Sequence, residues 1–303
     1  MAFIMAIAVV VVPIISLNAV AVPGYTTAGS HEIACNEVVA LVPADATVTT
    51  SDRIFPHLNP KTLAYLSYYR YEFNKSSGIF GLQDVETDYV IIDQRNWDEY
   101  CQGFVDEEID WAELIEEGNY GVYAHIDGIT VLKKDYSGLP ELTYMPDNNN
   151  GLKAVIYTGD FTEELFEAQY FSPDLHSFLC GSLIPGITPE NNWSIQFSGY
   201  IYAPESGDYQ FELRSCGGAL LTIDGRSCGE VHPQDPCVED TISLYLEQGF
   251  HDLELRYVAH PEGYVHLSWM PPGSNFFKDI DSSFFSLLPT SENDASCPQA
   301  TFP

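Results

Sequence analysis

Between Gly151 and Leu288 the chain places short apolar runs at roughly 8–12-residue intervals, with turn residues between them. The runs are Ala154–Tyr157, Trp193–Tyr202, Tyr209–Ser215, Ala219–Ile223, Thr241–Leu246, Phe250–Val258 and Tyr264–Trp269. Several alternate with period two: Trp193, Ile195 and Phe197; Tyr209, Phe211 and Leu213; Leu253, Leu255 and Tyr257. Successive side chains of a strand point to opposite faces, so each such run has one dry side and one wet side. Runs this short, repeated this often, predict an all-β antiparallel sandwich.

The region before it reads differently. His31–Leu41 predicts a helix with Ile33, Val38, Val39 and Leu41 on its apolar face, and Pro43 stops it. Thr47–Thr50 and Tyr89–Ile92 read as strands, Phe104–Ile115 as a helix ended by Gly118, and Tyr120–His125 with Ile129–Leu132 as a hairpin turning at Asp127-Gly128. This predicts a small α/β domain over 31–136. The segment 137–150 (SGLPELTYMPDNNN) has the proline and asparagine content of a linker, the sandwich occupies 151–290, and 291–303 is a polar tail.

At the start of the chain, Ile4–Val22 is almost continuously apolar and Met1–Ser30 carries no charged side chain. About 20 residues at 1.5 Å each cross a hydrocarbon core, so residues 1–30 predict a transmembrane helix or signal anchor. A cleaved signal peptide is the competing reading, because Ala19-Val20-Ala21 has the small-x-small form of a cleavage site. Either places the acidic bulk outside the cytoplasm, at the cell surface.

Twelve Lys and Arg stand against 44 Asp and Glu in 303 residues, a net charge of −32. That field repels phosphate backbones and anionic headgroups, which excludes nucleic acid as a natural partner. The acidic helix around Asp106-Glu107-Glu108 reads as a solvated face, and His57 has no second ligand at metal spacing. Ser-His-Asp, HExxH, P-loop and GxGxxG patterns are missing, so the chain is read as a non-enzyme.

The blocks GLKAVIYTGDF, WSIQFSGYIYAPESGDYQFEL, LLTIDG, LEQGFHDLELRY and VHLSWMPPG, in this order, closely resemble the protective-antigen fourteen-kilodalton (PA14) domain, a β-sandwich of adhesins, glycosidases, toxins and cell-surface proteins. The resemblance implies a module whose sugar-binding members hold calcium in loops at one end. Those members carry two adjacent aspartates before the LLTIDG-like strand, where this chain reads Ser215-Cys216-Gly217-Gly218. Replacement by Cys216 and Gly217 implies a weakened or lost calcium site, since calcium takes 6–8 oxygen ligands. Asp224, Glu230, His232, Asp235 and Glu239, with Asp240, are the side chains from which a ligand or cation site could be rebuilt, although Asp224-Gly225 reads first as a turn between strands. The earlier region, through LVPADATVTTSDRIFPHL, DYVIID and YGVYAHIDGITVLKK, resembles the extracytoplasmic tail of an uncharacterised prokaryotic family of multi-pass membrane proteins (domain of unknown function 2079).

Cys180, Cys216, Cys228 and Cys237 fall in the sandwich and Cys35 and Cys101 in the α/β part, even numbers that suggest disulfides with the pairing left open. A bridge among Cys216, Cys228 and Cys237 would fix covalently a loop that metal fixes in relatives. The expected function is a membrane-anchored binding module for glycan, with a structural or protein-interaction role at the cell surface, or an accessory tail of a membrane glycosyltransferase-like system, as alternatives.

Overall fold

The computed structural model describes residues 29–50, 54–66, 87–93, 119–176, 183–184, 187–189, 192–232, 237–260 and 263–289. The expected apolar span 1–30 and the helix Phe104–Ile115 lie outside these residues, apart from the last two positions of the former. Among the described residues no helix is long and apolar enough to cross a membrane.

The first part is a five-stranded mixed sheet under one helix. Helix α1 (Ser30–Ala40) buries Ala34, Cys35, Val38 and Val39. The expected apolar face is therefore corrected at Ile33, which is 39% exposed. The smaller Ala34 and Cys35 let the helix settle closer to the sheet than Ile33 would. Strands β1 (Thr47–Thr50), β2 (Leu63–Leu66) and β3 (Tyr89–Asp93) are mutually parallel where they pair, and β4 (Tyr120–Ile126) and β5 (Ile129–Lys134) add an antiparallel hairpin in the order β2-β1-β3-β5-β4. Asp127 (φ 52°) and Gly128 (φ 81°) both occupy the left-handed region that a two-residue hairpin turn needs. Lys133 on β5 lies 4.6 Å from the centroid of the Tyr123 ring and within 5.7 Å of those of Tyr89 and Tyr136.

The second part is the sandwich. One sheet runs β12 (Arg226–Val231), β11 (Gly218–Ile223), β14 (Gly249–Val258), β9 (Trp193–Ala203), β6 (Leu152–Thr158) and β7 (Glu163–Tyr170), with β17 (Phe285–Ser286) also paired to β9. The other runs β13 (Val238–Leu246), β10 (Gly207–Cys216), β15 (Tyr264–Met270) and β16 (Lys278–Asp279), with β8 (Leu175–His176) on β15. The alternation read from sequence is the inner face. Phe197, Tyr209, Phe211, Leu213, Leu253, Leu255 and Tyr257 are all fully buried, with Trp193 and Trp269 beside them. Each large side chain of this kind contributes roughly 1.5–3 kcal/mol by leaving water.

Residues 137–150, read from composition as a connection, are tied down at both sides. Glu141 and Leu142 hydrogen-bond along β4, through Glu141 N to Tyr123 O and His125 N to Leu142 O. The next residue, Thr143, accepts from Gln169 N on β7, and Gln169 O accepts from Asp127 N. The fully buried Gln169 side chain completes the joint: its Oε1 accepts from Met145 N, and its Nε2 donates to Asn148 O and Asn150 O. All its polar groups are thereby satisfied without water. At its Gln169 end the sandwich's edge strand β7 is thus capped by Asp127 and Thr143, which shortens the exposed edge.

Candidate functional site

Two ends of the sandwich carry the polar side chains singled out from sequence. At the first, β10 ends in Cys216, which is bridged to Cys237, the residue before β13. Gly217 follows at φ 124°, packed so tightly that a Cβ would come within 2.6 Å of Val258 O and 3.0 Å of the Tyr257 ring. Tyr257 Oη donates to Cys216 O at 3.0 Å. Cys228 and Cys35 are free thiols, Cys35 buried and pushed up to about 12 by burial and by the charges of Asp93 and Glu32. Cys101 and Cys180 lie outside the described residues, as does Asp235.

Around this end the other expected residues hold one another. His232 Nδ1 lies 3.6 Å from Glu230 Oε1, and Glu230 N donates to Asp240 Oδ2 at 3.4 Å. Glu239 pairs with Arg214 Nε at 3.2 Å, while Arg214 Nη2 reaches the buried Glu212 at 2.7 Å and Ser268 Oγ donates to that same carboxylate. Beside them His266 stands between Asp174 (3.1 Å) and Asp279 (3.3 Å), and the hydrogen bond to Asp174 raises its pKa against the opposing effect of burial. This network on the outer face of the β10 sheet was not expected from sequence. Its members come from β10, β13, β15, β16 and the residue just before β8, so no local motif announces it.

The described donor set at this end does not fit a calcium ion. Cys216 is in a disulfide, Gly217 has no side chain, and Glu239 is committed to Arg214. Among the described residues no three His, Cys, Asp or Glu side chains converge on a metal position.

Asp224 is not part of this group. It sits at the far end of β11, about 20 Å from Cys216 at 3.3 Å per strand residue. There Asp224 (φ 50°) forms the expected turn with Gly225, accepts from Asp252 N through Oδ1 at 3.1 Å, and faces His251 Nδ1 through Oδ2 at 2.7 Å. His251 Nε2 donates to Glu247 O, so the imidazole clips the β11–β12 turn to the β13–β14 turn.

The outer face of the larger sheet beside Asp224 carries aromatic rings. Strand β9 turns Tyr200 and Tyr202 outward, both half-buried, and β14 sets Asp252 opposite Tyr200 and Phe250 opposite Tyr202. The Tyr202 and Phe250 ring centroids are 5.0 Å apart. The odd positions of β9 face inward along its whole length, through Ile195, Phe197, Ile201 and Ala203, so Tyr200 and Tyr202 fall on the outer face; residue type does not show this, because the run Gly199-Tyr200-Ile201-Tyr202 is apolar or aromatic at every position after the glycine.

The PA14 domain model matches residues 148–283. No curated protein matches the chain. Among solved structures, an anti-sigma factor domain-containing protein from Clostridium clariflavum is 19% identical with a TM-score of 0.42, covering 52% of this chain and 56% of that one. The PA14 domain of the MpAFP antifreeze protein is 18% identical with a TM-score of 0.38, covering 48% and 95%. The A domain of Epithelial Adhesin 6 from Candida glabrata, in complex with Galb1-3GlcNAc, is 12% identical with a TM-score of 0.40, covering 48% and 91%. The chain spans about half the length of the anti-sigma factor domain-containing proteins it matches, 47% of one and 56% of the other. From residue 148 to residue 283, this chain is a PA14 domain.

Proposed function

We propose that the protein is a non-catalytic binding module whose PA14 sandwich takes glycan as its ligand, displayed outside the cytoplasm on a membrane anchor formed by the apolar start of the chain. The observation that carries the reading is the PA14 match over residues 148–283, the domain that the sequence resemblance associates with sugar binding. The Cys216–Cys237 disulfide supports an oxidising compartment, and the run Ile4–Val22 supports the anchor.

A second reading, a protein-interaction role at the surface, is favoured by one observation. Where the resemblance places metal-ligating aspartates, this chain has a disulfide-bonded cysteine and a glycine. The test is glycan-array binding by the full chain, in calcium and in chelator. Saturable binding to a glycan class supports the module. An empty array in both conditions overturns it and turns the search to a protein partner.

A further inference from the structure

We infer that the ligand surface lies on the outer face of the larger sheet, with Tyr200, Tyr202 and Phe250 forming a metal-independent platform for an uncharged glycan. This rests on the glycan reading above and assigns it a place. Among the described residues the Cys216 end offers no free donor set, since Glu212 and Glu239 pair with Arg214, Asp240 accepts from Glu230 N, and the Glu230 carboxylate faces His232. The platform differs in kind. Tyr200 and Tyr202 are two residues apart on one face of β9, about 6.8 Å along the strand, so their rings succeed one another in a row. Phe250 packs against Tyr202 from the neighbouring strand and fixes its orientation.

An aromatic ring presents a negative face, and the C–H bonds on the flat side of a pyranose are weakly positive, so the two stack. Sugar hydroxyls then need acceptors at the rim. Asp252 lies opposite Tyr200 in the register, exposed, and Glu254 follows two residues on along the same face. A carboxylate accepts from hydroxyl donors with the strength of a charge-assisted bond. The same carboxylates, in a chain of net charge −32, repel sialylated or sulfated sugars and a second copy of this chain. The nearby cations on this face are engaged, Arg256 over the Phe161 ring at 3.9 Å and Lys153 with Glu167. Charge thus selects a neutral polyhydroxylated ligand.

The experiment uses the full chain on an array of neutral, sialylated and sulfated oligosaccharides in chelator, followed by titration with the neutral oligosaccharide that binds most strongly. Tyr202→Ala and Phe250→Ala should each weaken that binding about tenfold or more, and Tyr202→Leu, which keeps apolar bulk without a ring, should weaken it comparably. Glu239→Gln at the other end should leave it unchanged. Parent-like binding by both alanine variants, loss of binding in chelator, or preference for the anionic sugars overturns the platform while leaving the glycan reading intact. The same array in calcium separates the two readings: binding in calcium alone leaves the glycan reading intact, whereas no binding in calcium or in chelator overturns both. Melting temperatures of the variants identify any that are unfolded, in which case Tyr202→Leu decides.

Discussion

His31 Nδ1 lies 2.7 Å from Oδ2 of Asp127, a fully buried carboxylate whose other oxygen accepts from Phe171 N, also at 2.7 Å. One side chain of the β4–β5 turn thereby joins the first helix to the sandwich. On its other side His31 Nε2 meets Asp93 Oδ2 at 3.1 Å. Both ring nitrogens face carboxylates, which accept only, so the imidazole donates twice and is charged. Burial by itself lowers the His31 pKa, but the hydrogen bonds and charges of Asp127 and Asp93 outweigh it and raise the value to about 9.

Stability should therefore fall in alkali. A group whose pKa is about 9 when folded and 6.5 when unfolded stabilises fully below pH 6.5, and its contribution disappears as pH rises through 9. The magnitude is on the order of 3 kcal/mol. Melting temperature measured from pH 6 to pH 10 should drop across the upper part of that range, and His31→Gln should be less stable at pH 7 with a flatter profile. A parent profile level to pH 10 would contradict the ion-paired geometry. His125, fully buried between Thr130 and Tyr170, adds nothing in this window, since burial pushes its pKa down to about 3.

Gln169→Leu should destabilise by about 2–4 kcal/mol, because it strands Met145 N and the carbonyls of Asn148 and Asn150 without partners. Gln169→Glu should be at least as damaging, since a carboxylate cannot donate to two carbonyls. Denaturant titration reads the loss, and limited proteolysis should find new cleavage within residues 137–150 in the variants. Retained resistance at those residues would show that the joint does not depend on Gln169.

The Cys216–Cys237 bridge closes 21 residues. Constraint of the unfolded chain by a loop of this size contributes about 3 kcal/mol. Cys216→Ser with Cys237→Ser should lower stability by that order, and peptide mapping without reductant should recover the linked pair. Among the free thiols, Cys228 should alkylate in the native protein and buried Cys35 only after unfolding.

Calcium should leave the melting temperature where equal ionic strength from another salt leaves it, because the described carboxylates at the Cys216 end are paired and do not converge. Restoring a carboxylate there should fail as well. Gly217→Asp forces a Cβ to within 2.6 Å of Val258 O at a left-handed φ, so we expect a loss of about 2 kcal/mol or more, read by chemical denaturation, with no gain in calcium response. A saturable calcium-dependent rise in the parent would refute the reading.

Much of this architecture was legible from residue order alone. Period two in Tyr209–Leu213 and Leu253–Tyr257 marked the inner faces, and Asp127-Gly128 and Asp224-Gly225 marked their turns, because these are local signals carried by neighbouring residues. Strand β7 was not legible. Its sequence, EELFEAQY, is charged and irregular, and it is a strand because β6 and Thr143 supply its hydrogen-bonding partners. The first helix shows the same limit: pattern placed it within a residue of its observed span, but the sheet beneath chose Ala34 and Cys35 over Ile33 as its contact face.

What the sequence by itself determined was the class of fold, the turn positions, and the replacement of an aspartate pair by Cys216 and Gly217. The tertiary structure alone decided which side chains act together. His31 and Asp127 are 96 residues apart, and Asp224 and Glu239, close in sequence, stand at opposite ends of the sandwich. The reason is physical. A strand's pattern reports only which side of it is dry, whereas the distance between two side chains is set by the register and order of strands, and these are chosen by the whole packed core at once.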